Sequence, residues 1–138
     1  MADDDSPSIR LVRSYIEAVQ RARASGDVDD FEALREFLAA DVIIKVASAW
    51  TDEPWQVMHR GADAVITRLQ APINKATSLT TENASVQQAG DDVYVEQLST
   101  IVNSDGTHVS MVCHIFSVID GVITGVRGYR NERGIPVG

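Results

Sequence analysis

The chain has 138 residues, 44% of them apolar and 23% charged, and its 20 acidic and 12 basic side chains leave a formal charge of −8. That length suits one domain, which buries ~70% of its extended surface on folding, and the composition excludes wholesale disorder. The acidic balance argues against nucleic acid and anionic membranes as partners, because no basic stripe offsets phosphate repulsion.

Residues 1–7 carry three adjacent Asp and are expected to be a disordered acidic tail. An acidic start is unlike a signal peptide, and no run nears the ~18 apolar residues of a membrane span, so a cytoplasmic protein is expected. Ser6 or Ser8 is placed to cap a first helix, with Pro7 tolerated in its first turn. Ile9, Val12, Ile16 and Val19 recur at spacings of three and four, with Tyr15 on the same side, and Ser25-Gly26-Asp27 ends the helix. A second helix is expected from Asp29 to Leu38, burying Phe31, Leu34, Phe37 and Leu38.

The β-branched run Val42–Ala47 predicts a strand. Ser48 to Gln56 holds Trp50, Pro54 and Trp55 and has the character of a loop or lid, with a brief strand over Gln56–His59. Gly61 precedes a third helix, Ala62–Leu69, which Pro72 ends. Beyond Ser78 the pattern changes to long strands: Leu79–Ala89, Val93–Val102, Thr107–Ile119 and Val122–Asn131. Gly90-Asp91-Asp92, Asn103-Ser104-Asp105-Gly106 and Asp120-Gly121 separate them, each with good turn chemistry, so the last half is an antiparallel meander. Helices first and a meander afterwards make an α+β domain with helices covering one face of a curved sheet, which suits a cavity for a small apolar molecule. The lone Cys113 rules out an intrachain disulfide. No three His, Asp or Glu fall at metal-ligand spacing and no Gly-rich phosphate loop occurs, so neither metal nor cofactor is expected.

Ser14-Tyr15-Ile16-Glu17-Ala18-Val19, Phe37-Leu38-Ala39-Ala40-Asp41-Val42, Gly61-Ala62-Asp63-Ala64-Val65 and the closing run Asp120–Tyr129 resemble the cone-shaped nuclear-transport-factor-2-like superfamily over about residues 9–133. That superfamily includes ketosteroid isomerases, limonene-type epoxide hydrolases and SnoaL-like polyketide cyclases. The resemblance implies one SnoaL-like domain over residues 8–133, a short C-terminal tail over 134–138, and three N-terminal helices on a strongly curved, mostly antiparallel sheet enclosing a cavity. Matched to ketosteroid isomerases, Tyr15 stands at the oxyanion-hole tyrosine and His114 at the second oxyanion donor, while the aspartate base is replaced on or near Val46. Protonated-aspartate donation in those enzymes is an established example of pKa tuning. Matched to limonene-type epoxide hydrolases, the Asp-Arg-Asp set is replaced by Gln97, Ser99 and Gly128, which removes the chemistry of epoxide opening.

Strand alternation puts Val112, His114 and Phe116 on one face, Val126 and Gly128 on one face of the next strand, and Gln97 with Ser99 on another. The resemblance turns those faces inward. Three roles stand open for His114: an oxyanion donor beside the Tyr15 hydroxyl, a general base, or a core histidine bonded to Tyr15 or Ser99. Gln97 and Ser99 are candidates to orient a substrate, with Val46, Val112, Phe116, Val126 and Gly128 lining its site. Glycine opposite His114 is expected to leave room for a ligand. Trp50 and Trp55 either contact a flat ligand or pack as a lid. The expected function is a cyclase or isomerase of SnoaL-like type acting on a small, largely apolar carbonyl compound. The alternative is a binding protein with the same cavity and no catalysis. On the outer face, Tyr94, Leu98, Val102, Met111, Cys113 and Ile115 alternate as apolar positions suited to a homodimer.

Overall fold

The computed structural model describes residues 6–47, 55–70 and 76–130. Helix α1 (Pro7–Ser25) starts where Ser6 accepts a hydrogen bond from the Ile9 amide at 3.1 Å. It stops at Gly26, whose φ of 67° lets its N–H reach the Ala22 carbonyl at 2.8 Å. The stripe it buries is Ile9, Val12, Tyr15, Ile16, Ala18 and Ala22.

The expected second helix divides into two pieces. Helix α2 (Val28–Glu32), capped by the Asp27 carboxylate, runs into a 3-10 turn over Ala33–Phe37. Leu38 then leaves helical geometry, with φ −111° and ψ 138°, and opens strand β1 (Leu38–Ala47), which starts earlier than the β-branched run alone suggested. Apolar positions at 34, 37 and 38 satisfy a helix stripe, yet Leu38 pairs with Ile123 instead. Strand β2 (Trp55–Arg60) and helix α3 (Ala62–Gln70) follow. Arg35 bonds Glu32 at 2.6 Å and also meets Asp63, which ties the 3-10 turn to α3.

The meander comprises β3 (Ala76–Ala89), β4 (Asp92–Asn103), β5 (Gly106–Ile119) and β6 (Val122–Arg130). At the β5–β6 turn both central residues take positive φ, 53° at Asp120 and 80° at Gly121, which matches the twist of a two-residue hairpin. The six strands form one open sheet in the order β2-β1-β6-β5-β4-β3. Every neighbouring pair is antiparallel except β1 with β6. Together with the three helices this is the nuclear-transport-factor-2-like fold, with a curved sheet that does not close on itself.

The core lies between the helices and the inner face of the sheet. Ile9 and Val12 of α1, Leu34, Val42, Val93, Val95 and Ile123 are wholly excluded from solvent. Among the irregularities in register, those between Asn83 and Ser85 and between Ser117 and Val118 re-aim residues of the inner face. Among the described residues, no helix is long and apolar enough to cross a membrane.

Candidate functional site

The site is built from cross-strand rows, because residues directly opposite in a sheet share a face. One row reads Val46, Gly128, His114, Val95 and Val86 across β1, β6, β5, β4 and β3. The row beside it reads Val126, Phe116 and Val93, all buried. On the other side Val112 faces Gln97, which faces Asn83, and beyond them Ser110 faces Ser99, which faces Thr81. Polarity therefore changes along the inner face, from aliphatic and aromatic near Phe116 to amides and hydroxyls near Ser99.

The expected alternation holds: Val46, Gln97, Ser99, Val112, His114, Phe116, Val126 and Gly128 come to one face of the sheet. Trp55 opens β2 opposite Ala47, and Trp50 lies outside the described residues.

Tyr15 enters this face from α1. Its ring stands edge-on to Phe116 at 6.0 Å between centroids and to Phe37 at 5.9 Å, so it is wedged between strand and 3-10 turn. The His114 ring lies 6.1 Å from the same Phe116 ring. Tyr15 and His114 thus meet through Phe116. Burial pushes the Tyr15 phenol up to about 12, with Arg23 pulling slightly the other way, so the hydroxyl stays a proton donor at neutral pH. That hydroxyl has no hydrogen-bond partner among the described residues. No sealed-off side-chain oxygen there lacks a partner either, so it opens onto space that a solvent-sized group can reach.

His114 bonds Gln97, with Nδ1 2.9 Å from Oε1. Gln97 is 7% exposed, the one polar or charged residue in the buried set among the described residues, and its Nε2 donates to Asn83 Oδ1 at 3.1 Å. With the Gln97 amide nitrogen donating to Asn83, its carbonyl oxygen faces the imidazole. An oxygen can only accept, so in the neutral ring Nδ1 carries the proton and Nε2 holds the basic lone pair. Asn83 was not among the residues singled out from the sequence.

A Cβ built at Gly128 would rest in ordinary contact with the ring, 3.4 Å from His114 Cδ2 and 3.6 Å from Nε2, so the imidazole packs directly beside the glycine.

The sequence profile of the SnoaL-like domain matches residues 12–126, most of the chain and every strand that builds this face. This chain belongs to the SnoaL-like family. No curated protein matches it. Among solved structures, the SnoaL-like chain is similar to an M. tuberculosis LEH-like epoxide hydrolase, at 21% identity and TM-score 0.65, over 91% of this chain and 84% of that one. It is similar to a SnoaL-like polyketide cyclase of Jannaschia sp. CCS1, described as putative, at 17% identity and TM-score 0.61, covering 86% and 85%. A protein of unknown function from Burkholderia pseudomallei matches at TM-score 0.70 and 16% identity, covering 91% and 92%. At these identities the likeness is one of fold, and a SnoaL-like fold serves both polyketide cyclases and isomerases.

The opposite face of the SnoaL-like sheet carries Tyr94, Met111 and Tyr129, each between 37% and 46% exposed. On this outer face Glu96, Met111, Cys113 and Tyr129 border a shallow groove of about 240 Å³. Burial and then Glu96 push the Cys113 thiol up, away from a reactive thiolate. Ile115, expected on this face as an exposed apolar position, is only 5% exposed. It stands in register between Tyr94 and Arg127, and Arg127 reaches across to Asp92 at 3.3 Å. Among the described residues no group of three His, Cys, Asp or Glu gathers to hold a metal ion.

Proposed function

We propose that this protein is a small-molecule enzyme of the cyclase or isomerase type, acting on a largely apolar carbonyl compound held against the inner face of the sheet. The observation that carries this reading is the state of His114: its Nδ1 proton is committed to Gln97, so proton affinity resides on Nε2. Of the roles open from the sequence, general base fits that tautomer, whereas an oxyanion donor would need its proton on Nε2. The donor is then Tyr15, a neutral phenol whose hydroxyl keeps access to open space. In the proposed step His114 Nε2 takes a proton from the carbon next to the carbonyl, and the Tyr15 O–H bonds the enolate oxygen that develops. The imidazolium then returns the proton to the product. A donor of this kind is worth ~3 kcal/mol of transition-state stabilisation.

Val112, Phe116, Val126 and Val46 supply the apolar wall, and Ser99 marks its polar end. A cyclase also gains rate by holding a flexible substrate in one reactive conformer. We take the working form to be a homodimer through the outer face, with Tyr94, Met111 and Tyr129 as its exposed apolar part.

The test is a thermal-shift screen of ketones and short polyketide-like compounds, followed by product analysis of each stabilising compound. The wild type is expected to convert at least one of them, with His114→Ala and Tyr15→Phe each slowing conversion ~100-fold or more. Recovery of every stabilising compound unchanged would make the protein a carrier. Turnover unaffected by either substitution would remove both residues from the mechanism.

A further inference from the structure

We infer that Asn83 is a positioning residue: through the buried amide of Gln97 it fixes which ring nitrogen of His114 carries the proton. The three side chains come from three consecutive strands, β3, β4 and β5, and form a line of two hydrogen bonds, 3.1 Å and then 2.9 Å long. The middle member is the decisive one. Gln97 is buried, so water is poorly placed to replace a lost partner, and its amide has to point its oxygen one way and its nitrogen the other. Rotating that amide alone would set its oxygen against the Asn83 oxygen, two acceptors with no proton between them, so the line reverses only if both amides turn together. Asn83 thereby holds the Gln97 carbonyl toward the imidazole, and the carbonyl holds the proton on Nδ1.

A local feature of β3 puts Asn83 there. The register shifts between Asn83 and Ser85, so that Ser85 faces Glu96 while Asn83, not Ala84, faces Gln97. An unbroken ladder would have set Ala84 opposite Gln97 and left the amide without this partner. The irregularity re-aims one side chain, as bulges near functional sites often do. Asn83 is itself exposed on an edge strand, so substituting it perturbs little packing.

The catalytic meaning of this relay rests on the general-base reading of His114; the tautomer can be measured without it. The experiment is a long-range ¹H–¹⁵N correlation spectrum of uniformly ¹⁵N-labelled protein at about pH 8, where an ordinary imidazole is neutral. The His114 signals are assigned by their loss in His114→Ala. Wild type is expected to hold the proton on Nδ1. Asn83→Asp keeps an acceptor at position 83 and should preserve that state, whereas Asn83→Ala should give a mixture of both tautomers. Adding Gln97→Glu to Asn83→Ala should restore the single Nδ1–H form, because a carboxylate accepts whichever way it turns. A merely structural asparagine would move none of these signals. The inference is overturned by a wild-type proton on Nε2, by an unchanged single tautomer in Asn83→Ala, or by a mixture in Asn83→Asp. A fixed tautomer in a protein that converts no compound would remove the catalytic reading and leave the relay standing.

Discussion

Gly128 offers the sharpest test of where the imidazole sits, because two substitutions there should move stability in opposite directions. The backbone at this position is not left-handed, and an alanine Cβ would rest at ordinary contact, 3.4 Å from His114 Cδ2 and 3.8 Å from the Lys45 carbonyl. Gly128→Ala therefore keeps the ring in place and removes unfolded-chain freedom, a gain of about 0.5–1 kcal/mol. Gly128→Val adds methyl groups roughly 1.5 Å beyond a Cβ already at contact, so the ring has to leave. That breaks the 2.9 Å bond to Gln97 and strands a buried amide oxygen, at a cost of roughly 1–3 kcal/mol. For a domain of this size, thermal melts should show Gly128→Ala raised by roughly 2–4 °C and Gly128→Val lowered by roughly 4–8 °C. In labelled protein the valine variant should also lose the fixed His114 tautomer. Equal stability of the two variants would mean that the imidazole does not lie over Gly128. A fall for alanine as large as for valine would mean that it lies closer than the contact described.

Tyr15 should ionise late in an alkaline absorbance titration. Its folded-state value, near 12, lies above the ordinary 10.0, so the stability tied to it is whole below pH 10 and is lost as pH rises toward 12. Tyr15→Phe should flatten that loss, and an unchanged alkaline slope would contradict the burial of the phenol. Leu34→Ala, which empties a fully excluded position under α1, should cost about 3 kcal/mol in denaturant unfolding; a loss under 1 kcal/mol would place Leu34 outside the core. Met111→Glu puts a charge in the middle of the outer apolar face and should turn a dimer into a folded monomer by light scattering. Wild type running as a monomer would contradict use of that face.

Much of the site was legible because tight turns and strand alternation are local properties. Ser6 and Gly26 bracket α1 as their chemistry requires, and the short turns at residues 104–105 and 120–121 carry the meander. Alternation alone set His114 with Phe116 and Gln97 with Ser99. The His114–Gln97 bond was missed because it runs diagonally between strands and follows only from the full register of β4 on β5. Asn83 was less accessible still, since its place opposite Gln97 depends on the bulge at Ala84, for which the sequence carries no turn or glycine signal. A second irregularity, between Ser117 and Val118, sets Gly128 opposite His114 where a regular ladder from the Asp120-Gly121 turn would set Arg127. The 3-10 turn is not legible in the sequence because Phe37 and Leu38 satisfy a helical stripe as well as a strand.

Proton exchange at the carbon beside a bound carbonyl is the most direct measurement of whether His114 acts as a base. Stabilising ketones from the screen would be incubated in D₂O with wild type, His114→Ala and Tyr15→Phe, and their α-protons followed by NMR. Wild type should catalyse their replacement by deuterium, His114→Ala should leave only the solvent rate, and Tyr15→Phe should fall well below wild type. Exchange that proceeds equally in His114→Ala, or that occurs with none of the bound ketones, would contradict a base at Nε2.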